Sequence, residues 1–273
     1  MPDRTAFRSL FSAPRALIGM LHLGALPGSP AQRASVDELI AAALTEARVY
    51  RDAGFNGLMI ENMHDRPYLG GQVGPETVAA MTAIGRAVRS AVDLPLGVQV
   101  LAAANREALA VALACGASFI RAEAFAYAHV ADEGLLVAGA GPLLRYRRAI
   151  GAEHVAILAD VKKKHAAHAI TADLDLEETA RGAEFFLADG VIVTGIATGR
   201  AADPAEVAAV SEAVMIPVLV GSGVTPENLA HYAAADGFIL GSAVKRDGRW
   251  SNPIDPGRAK AMASAFAKLP PAR

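Results

Sequence analysis

Eight short apolar runs recur along this chain, each followed by a stretch patterned for a helix. This alternation limits the fold more than any other feature. The runs are LIGMLHL (17–23), GLMIEN (57–62), PLGVQVL (95–101), SFIRAEA (118–124), VAILADV (155–161), GVIVTG (190–195), PVLVGSG (217–223) and GFILGSAV (237–244). They are rich in Val, Ile and Leu, as strands are in a parallel sheet covered on both faces. Helix-start signals stand between them. Ser35 with Glu38 is a capping box, Gly74-Pro75 puts proline at a first helical position, and Asn105 is a cap before REALAVALA. Gly141-Pro142, Asp175 with Glu178, Asp203-Pro204 and Thr225-Pro226 continue the series. The punctuation itself repeats, as LADGVIVTG and AADGFILGS.

Strands that alternate with helices through right-handed crossovers pair in parallel, and eight such units close on themselves. The sequence therefore predicts an α/β protein, a single (β/α)8 TIM barrel. An open doubly wound sheet is the other arrangement, but no G-x-G-x-x-G follows the first run. A chain of 273 residues holds one such domain. Residues 1–16 are expected to form an N-terminal extension and 17–273 the barrel domain, ending in a final helix and a Pro-rich tail.

A net charge of −2 argues against nucleic acid as the main partner, since phosphate backbones call for a basic face. One cysteine, Cys115, leaves no internal disulfide and fits a reducing compartment. No signal-type apolar segment and no membrane-length apolar run occurs, so a cytoplasmic protein without a membrane span is expected. The alanine-rich helices make a homo-oligomer the expected assembly.

In such barrels the chemistry sits at the carboxyl ends of the strands, with a phosphate site after strands seven and eight. Backbone N–H groups at a glycine turn or a helix start have no internal partner and attract anions. Gly221, Ser222 and Gly223 after the seventh run, and Gly241 and Ser242 after the eighth, fit a phosphate cradle. Thr194, Thr198 and Gly199 after the sixth run would form its third side. The other use of these glycines is simply to make tight turns.

Charges sit where buried strands should have none unless they are paired or functional. His22, Glu61, Gln99, Arg121, Glu123 and Asp160 all fall at strand carboxyl ends, followed by Lys162 and Lys164. Period two puts Arg121 with Glu123, and Asp160 with Lys162, on shared faces that should point into the mouth. Either they form an ion-pair layer, or they form a constellation for proton transfer next to a carbonyl. Glu61 and Asp160 are the first acid/base candidates, with Glu123, Arg121 and His22 beside them. Lys162 is the first candidate for an electrophile or Schiff-base amine, and Lys164 is as readily solvated as functional. His22, His64, His165 and His168, with Glu61 or Asp160, could supply ligands to a divalent metal, yet no H-x-H or H-E-x-x-H spacing marks one. His129, His154 and His231 read as surface or packing residues. Long segments after the second and fourth runs carry Arg66, Tyr68 and Tyr127 and read as mobile lids over a ligand, with partner binding as the alternative use.

At these residues the chain resembles the BtpA/SgcQ family, in IGMLHLGALPGSP, GFNGLMIENMHDRPY, ASFIRAEAF, ILADVKKKHA, VIVTGIATG, PVLVGSGVTPENL and DGFILGSAVKRDG. The resemblance covers about residues 17–257. It implies a barrel of the ribulose-phosphate-binding type and carries Gly221, Ser222, Gly223, Gly241 and Ser242 over as phosphate contacts. The family takes its name from photosystem I biogenesis at the thylakoid membrane in cyanobacterial members, while others resemble sugar-metabolism proteins. Two functions follow. One is an enzyme, an isomerase or aldolase/lyase, acting on a small phosphorylated, sugar-phosphate-like molecule. The other is a non-catalytic assembly factor for a membrane protein complex, with peripheral membrane association.

Overall fold

The computed structural model describes residues 4–195 and 201–270. Helix α1 (Arg4–Phe11) leads to β1 (Ala16–His22), α2 (Val36–Ala53), β2 (Gly57–Glu61), α3 (Pro75–Ala91), β3 (Leu96–Gln99), α4 (Asn105–Cys115) and β4 (Phe119–Ala122). A short hairpin, β5 (His129–Ala131) and β6 (Gly134–Leu136), precedes α5 (Ala140–Ala149) and β7 (Ala156–Val161). The chain continues through β8 (Ala166–Ala167), α6 (Leu176–Phe185), β9 (Gly190–Val193), α7 (Pro204–Ala213), β10 (Val218–Val220), β11 (Gly237–Leu240) and α8 (Pro256–Phe266). Eight of these strands close in the order β1-β11-β10-β9-β7-β4-β3-β2, every pair parallel. All eight apolar runs became barrel strands, as the sequence predicts.

Alternation along each strand sends one side chain inward and the next toward the helices. Ile18, Met20, Met59, Phe119, Leu158, Ile192, Leu219 and Ile239 form the interior cluster. β3 contributes Gly97 instead, because the Phe119 ring occupies that space: a Cβ on Gly97 would lie 2.1 Å from Phe119 Cε2. Helix α1 joins the same cluster through Phe7 and Phe11, with the Phe11 and Phe119 rings 5.6 Å apart. The outward residues pack against the helices in a larger cluster that includes Cys115, a buried free thiol.

The caps follow the sequence closely in four places, one of them Gly74 before Pro75 at the start of α3. Ser35 and Glu38 form the reciprocal capping box on α2, Asp175 accepts from Glu178 N, and Asp203 accepts from Ala205 N. Two caps differ. Ala104, not Asn105, caps α4, because the Asn105 side chain turns to the Glu123 backbone, donating to its carbonyl at 2.7 Å and accepting from its N–H at 3.2 Å. Thr225-Pro226 starts no α-helix; only a 3-10 turn, Leu229–Tyr232, lies between β10 and β11. Asn228 instead ties the corner together, accepting from Thr225 N at 2.8 Å and donating to Gly223 O at 2.9 Å.

Candidate active site

Two residues beyond the interior layer, every barrel strand presents one more residue on the same face. These are His22, Glu61, Gln99, Arg121, Asp160, Thr194, Gly221 and Gly241. Gly221 and Gly241, just after β10 and β11, bring no side chain to this layer. The result is a cavity of about 480 Å³ lined by all of these residues except Thr194. The Thr194 hydroxyl is buried with no hydrogen-bond partner among the described residues. Thr198 and Gly199 lie outside the described residues.

Two ion pairs floor the cavity. Arg121 grips Asp160 through Nη2 at 2.9 Å and Nε at 3.0 Å, and the pair is almost wholly buried. Burial opposes the Arg121 charge, but Asp160, Glu61 and Glu123 together hold the guanidinium more basic than usual. Glu123 accepts from Lys163 Nζ at 3.1 Å, from Ala103 N at 2.9 Å and from Gln99 Nε2 at 3.4 Å. Burial pushes its carboxyl up and Lys163 pulls it back. The bond to Glu123 fixes the Gln99 amide, and Gln99 Oε1 is left buried without a donor among the described residues.

His22 and Glu61 form a different kind of pair. His22 Nδ1 donates to the Trp250 carbonyl at 3.1 Å, so its tautomer is set and Nε2 carries the lone pair. Nε2 stands 3.5 Å from Glu61 Oε2. Burial, with the Lys245 charge, lowers the imidazole to about 3, while burial raises the Glu61 carboxyl. The two shifts run in opposite senses, so of the two groups Glu61 is favoured over His22 as the holder of a proton. Gly241 is what admits the ring, since a Cβ there would meet His22 Cε1 at 2.9 Å.

Lys162 does not share the mouth with Asp160. β7 ends at Val161, Lys162 takes a left-handed φ of 46°, and its Nζ donates to the Leu174 carbonyl. The strand alternation stops there, which is why spacing misplaces it. Its neighbours turn inward instead. Lys163 is engaged by Glu123, and Lys164 lines the cavity with no hydrogen bond or ion pair among the described residues. Burial lowers the Lys164 amine, with Arg121 adding to the effect and Glu61 and Asp160 opposing it.

The two glycine corners face this cavity together. Gly221, Ser222, Gly223, Gly241 and Ser242 all line it. The amides of Gly223, Val224, Ser242 and Ala243 donate to no acceptor among the described residues. Each glycine also has a local reason. A Cβ on Gly221 would sit 2.6 Å from Ile192 Cγ2, and Gly223 has a φ of 70°. Only 3-10 turns follow the corners, Leu229–Tyr232 and Ser242–Val244, so neither corner opens a long helix. Arg258 adds a cation at this end, donating through Nε to Ala243 O at 2.9 Å.

The rim is tied down rather than open. Asn62 accepts from Leu101 N, Asp65 accepts from Leu26 N, and Tyr68 donates to Met63 O, each at 2.7 Å. Arg66 stacks 5.0 Å over Trp250. The segment after β4 folds as the antiparallel sheet β6-β5-β8, whose turn brings Asp132 and Glu133 to the cavity. Tyr127 points away from the mouth, because Gly182 on α6 leaves a notch that its ring fills. The expected metal-site histidines are dispersed: His64 donates to Leu23 O, His168 meets Lys163 O and lies tilted against His129, and His165 stands at the rim. Among the described residues no three His, Cys, Asp or Glu side chains are grouped as metal ligands.

Sequence reasoning missed Lys163, Trp250 and Arg258. Two of them left a trace. Trp250 is the single tryptophan of the chain, set in a charged loop. Arg258 puts a cation in the first turn of α8, against the helix dipole, and such local conflicts mark functional sites.

A family model described as the BtpA family matches residues 13–268. An uncharacterized mitochondrial protein of Caenorhabditis elegans is 45% identical over 94% of this chain and 95% of its own length. A Synechocystis protein named photosystem I biogenesis protein BtpA is 36% identical over 94% of this chain and 90% of its own. Among solved structures, a Pyrococcus furiosus thiamine phosphate pyrophosphorylase superposes with a TM-score of 0.58 at 15% identity, covering 93% of this chain and 96% of that one. A Thermus thermophilus phosphoribosyl anthranilate isomerase does so at 0.56 and 14%, covering 93% and 100%. At such identities these structures speak to the fold, a TIM-type barrel.

Proposed function

The chain belongs to the BtpA family, and we propose that it is an enzyme that binds a small phosphorylated molecule at the barrel mouth and moves a proton beside its carbonyl group. One observation carries this reading. The Gly223, Val224, Ser242 and Ala243 amides, which donate to no acceptor among the described residues, and the His22–Glu61 pair line one cavity. An anion anchored at the corners would lay the rest of the molecule across Glu61, Gln99 and Lys164. Isomerisation and aldol-type cleavage both need this layout, an anchor beside an acid/base pair. The names of the structural neighbours, a thiamine phosphate enzyme and a phosphoribosyl enzyme, support a phosphorylated substrate by analogy of fold. A thermal-shift screen tests it. Phosphate esters such as ribose 5-phosphate should raise the melting temperature, and their dephosphorylated counterparts should not. Equal response to both overturns the reading.

A second reading is an assembly factor for a membrane protein complex. It draws support from the name of the Synechocystis relative and from a patch of exposed apolar residues away from the mouth, Phe185, Phe186, Leu187 and Met215. No helix among the described residues is long and apolar enough to cross a membrane, so any contact of this kind would be peripheral. Loss of the biological role in folded Glu61→Gln protein favours the enzyme, and its retention favours assembly.

A further inference from the structure

We infer that Lys164 is the nucleophile of the site, forming an iminium with the carbonyl carbon of a phosphorylated hydroxy-aldehyde or hydroxy-ketone. The inference rests on the phosphate-anchoring reading and gives it a reaction and a substrate class. Three lysines follow Val161, and the structure separates them by geometry. Lys162 Nζ donates to the Leu174 carbonyl outside the cavity. Lys163 Nζ is taken up by Glu123 at 3.1 Å. Lys164 alone of the three lines the cavity without a partner among the described residues. Arg121 lies near enough to disfavour a second positive charge, and the burial that lowers the amine works in the same direction.

The groups around Lys164 supply the rest of the step. The neutral amine adds to the carbonyl carbon while the π electron pair moves to oxygen. One amine proton passes to that oxygen, giving the carbinolamine. The carboxyl proton of Glu61 then leaves with the hydroxyl as water, and the nitrogen lone pair closes the C=N bond. The products are an iminium cation, one water and the Glu61 carboxylate beside it. That carboxylate, backed by the neutral His22 Nε2 at 3.5 Å, is then placed to take a proton from the carbon skeleton. Gln99 explains the hydroxyl. Its Oε1 is buried in the cavity wall with no donor among the described residues, and a ligand hydroxyl satisfies it. The phosphate falls at Gly223, Ser242 and Ala243, with Arg258 behind them.

Borohydride trapping tests this on the full chain. The protein is incubated with glyceraldehyde 3-phosphate, dihydroxyacetone phosphate or ribose 5-phosphate, reduced, and read by intact mass and peptide mapping. At least one of the three should leave a reduced adduct on Lys164. The dephosphorylated compounds should label that residue at least about tenfold less, because the remote anchor drives its occupancy. Lys162→Met should label as the parent does. Lys164→Arg, which keeps the charge but forms no iminium, should lose the adduct and keep the thermal shift with phosphate esters. No adduct on Lys164 with any of the three, or equal labelling in Lys164→Arg, overturns the inference. If esters still raise the melting temperature in that case, the phosphate reading stands without the covalent step. If they do not, both fall.

Discussion

Asp160→Ala should destabilise the barrel by about 3–5 kcal/mol, a fall in melting temperature on the order of 10 °C. Asp160 accepts from both Nε and Nη2 of Arg121, and the pair is 0% and 5% exposed at the side chain. The remaining charges in the layer do not compensate for its loss. Glu123 is already held by Lys163, Ala103 N and Gln99. Glu61 faces His22 Nε2 at 3.5 Å. Removing Asp160 therefore strands a guanidinium in the barrel, which costs far more than the ion pair gains. The double change Arg121→Met, Asp160→Leu should recover most of the loss, because apolar replacement of a buried pair is near neutral. Urea denaturation of the three proteins checks both expectations. A single-variant loss under about 1 kcal/mol would mean that cavity water already solvates the pair.

Glu61→Gln should leave the fold intact and lower turnover of a phosphorylated carbonyl substrate by about 10²–10⁴-fold. Glutamine keeps the shape and can still donate to His22 Nε2, but it has no proton to release. Substrate affinity should change little, since the anchor lies at the other side of the cavity. The pH dependence has a definite sign. Burial raises the carboxyl above its ordinary 4.5, so the acid form survives to higher pH and the rate should fall as pH rises through the raised value. Stability behaves likewise. Above 4.5 the folded chain holds a proton at Glu61 that the unfolded chain has lost, so this group's contribution disappears as pH rises through the folded value. His22 acts in the opposite sense. Its imidazole is lowered from 6.5 to about 3, so the unfolded chain binds the extra proton and stability is lost as pH falls across that window. Urea midpoints across this range should lose the Glu61 component in Glu61→Gln and keep the acid limb from His22. An unchanged rate would remove Glu61 from the chemistry.

The barrel was readable because its signals are local and repeated. Each apolar run carries its own strand, and turn residues mark both ends, so eight strands could be placed without knowing their partners. The top layer was readable for the same reason: period two links Met59 to Glu61, Phe119 to Arg121 and Leu158 to Asp160. Legibility stopped where the backbone left regular geometry. Lys162 fails because a left-handed residue follows the strand, and no alternation rule survives that turn. After Thr225 the cap signal is present, with Asn228 accepting from Thr225 N, yet only the 3-10 turn Leu229–Tyr232 forms. Tyr127 was drawn to α6 by a glycine 55 positions away, a long-range fit that no local pattern carries. Trp250 and Arg258 reach the mouth from the segments after β11, and only tertiary packing brings them to His22 and Ala243.

A crystal structure with ribose 5-phosphate bound puts the central claim to its most direct test. The phosphorus should lie at the β10 and β11 corners, with its oxygens within hydrogen-bond reach of the Gly223, Val224, Ser242 and Ala243 amides, and with the sugar running toward Lys164 and Glu61. A phosphate seated on Arg66 at the rim, or corners that stay empty while the sugar end alone is ordered, would contradict it.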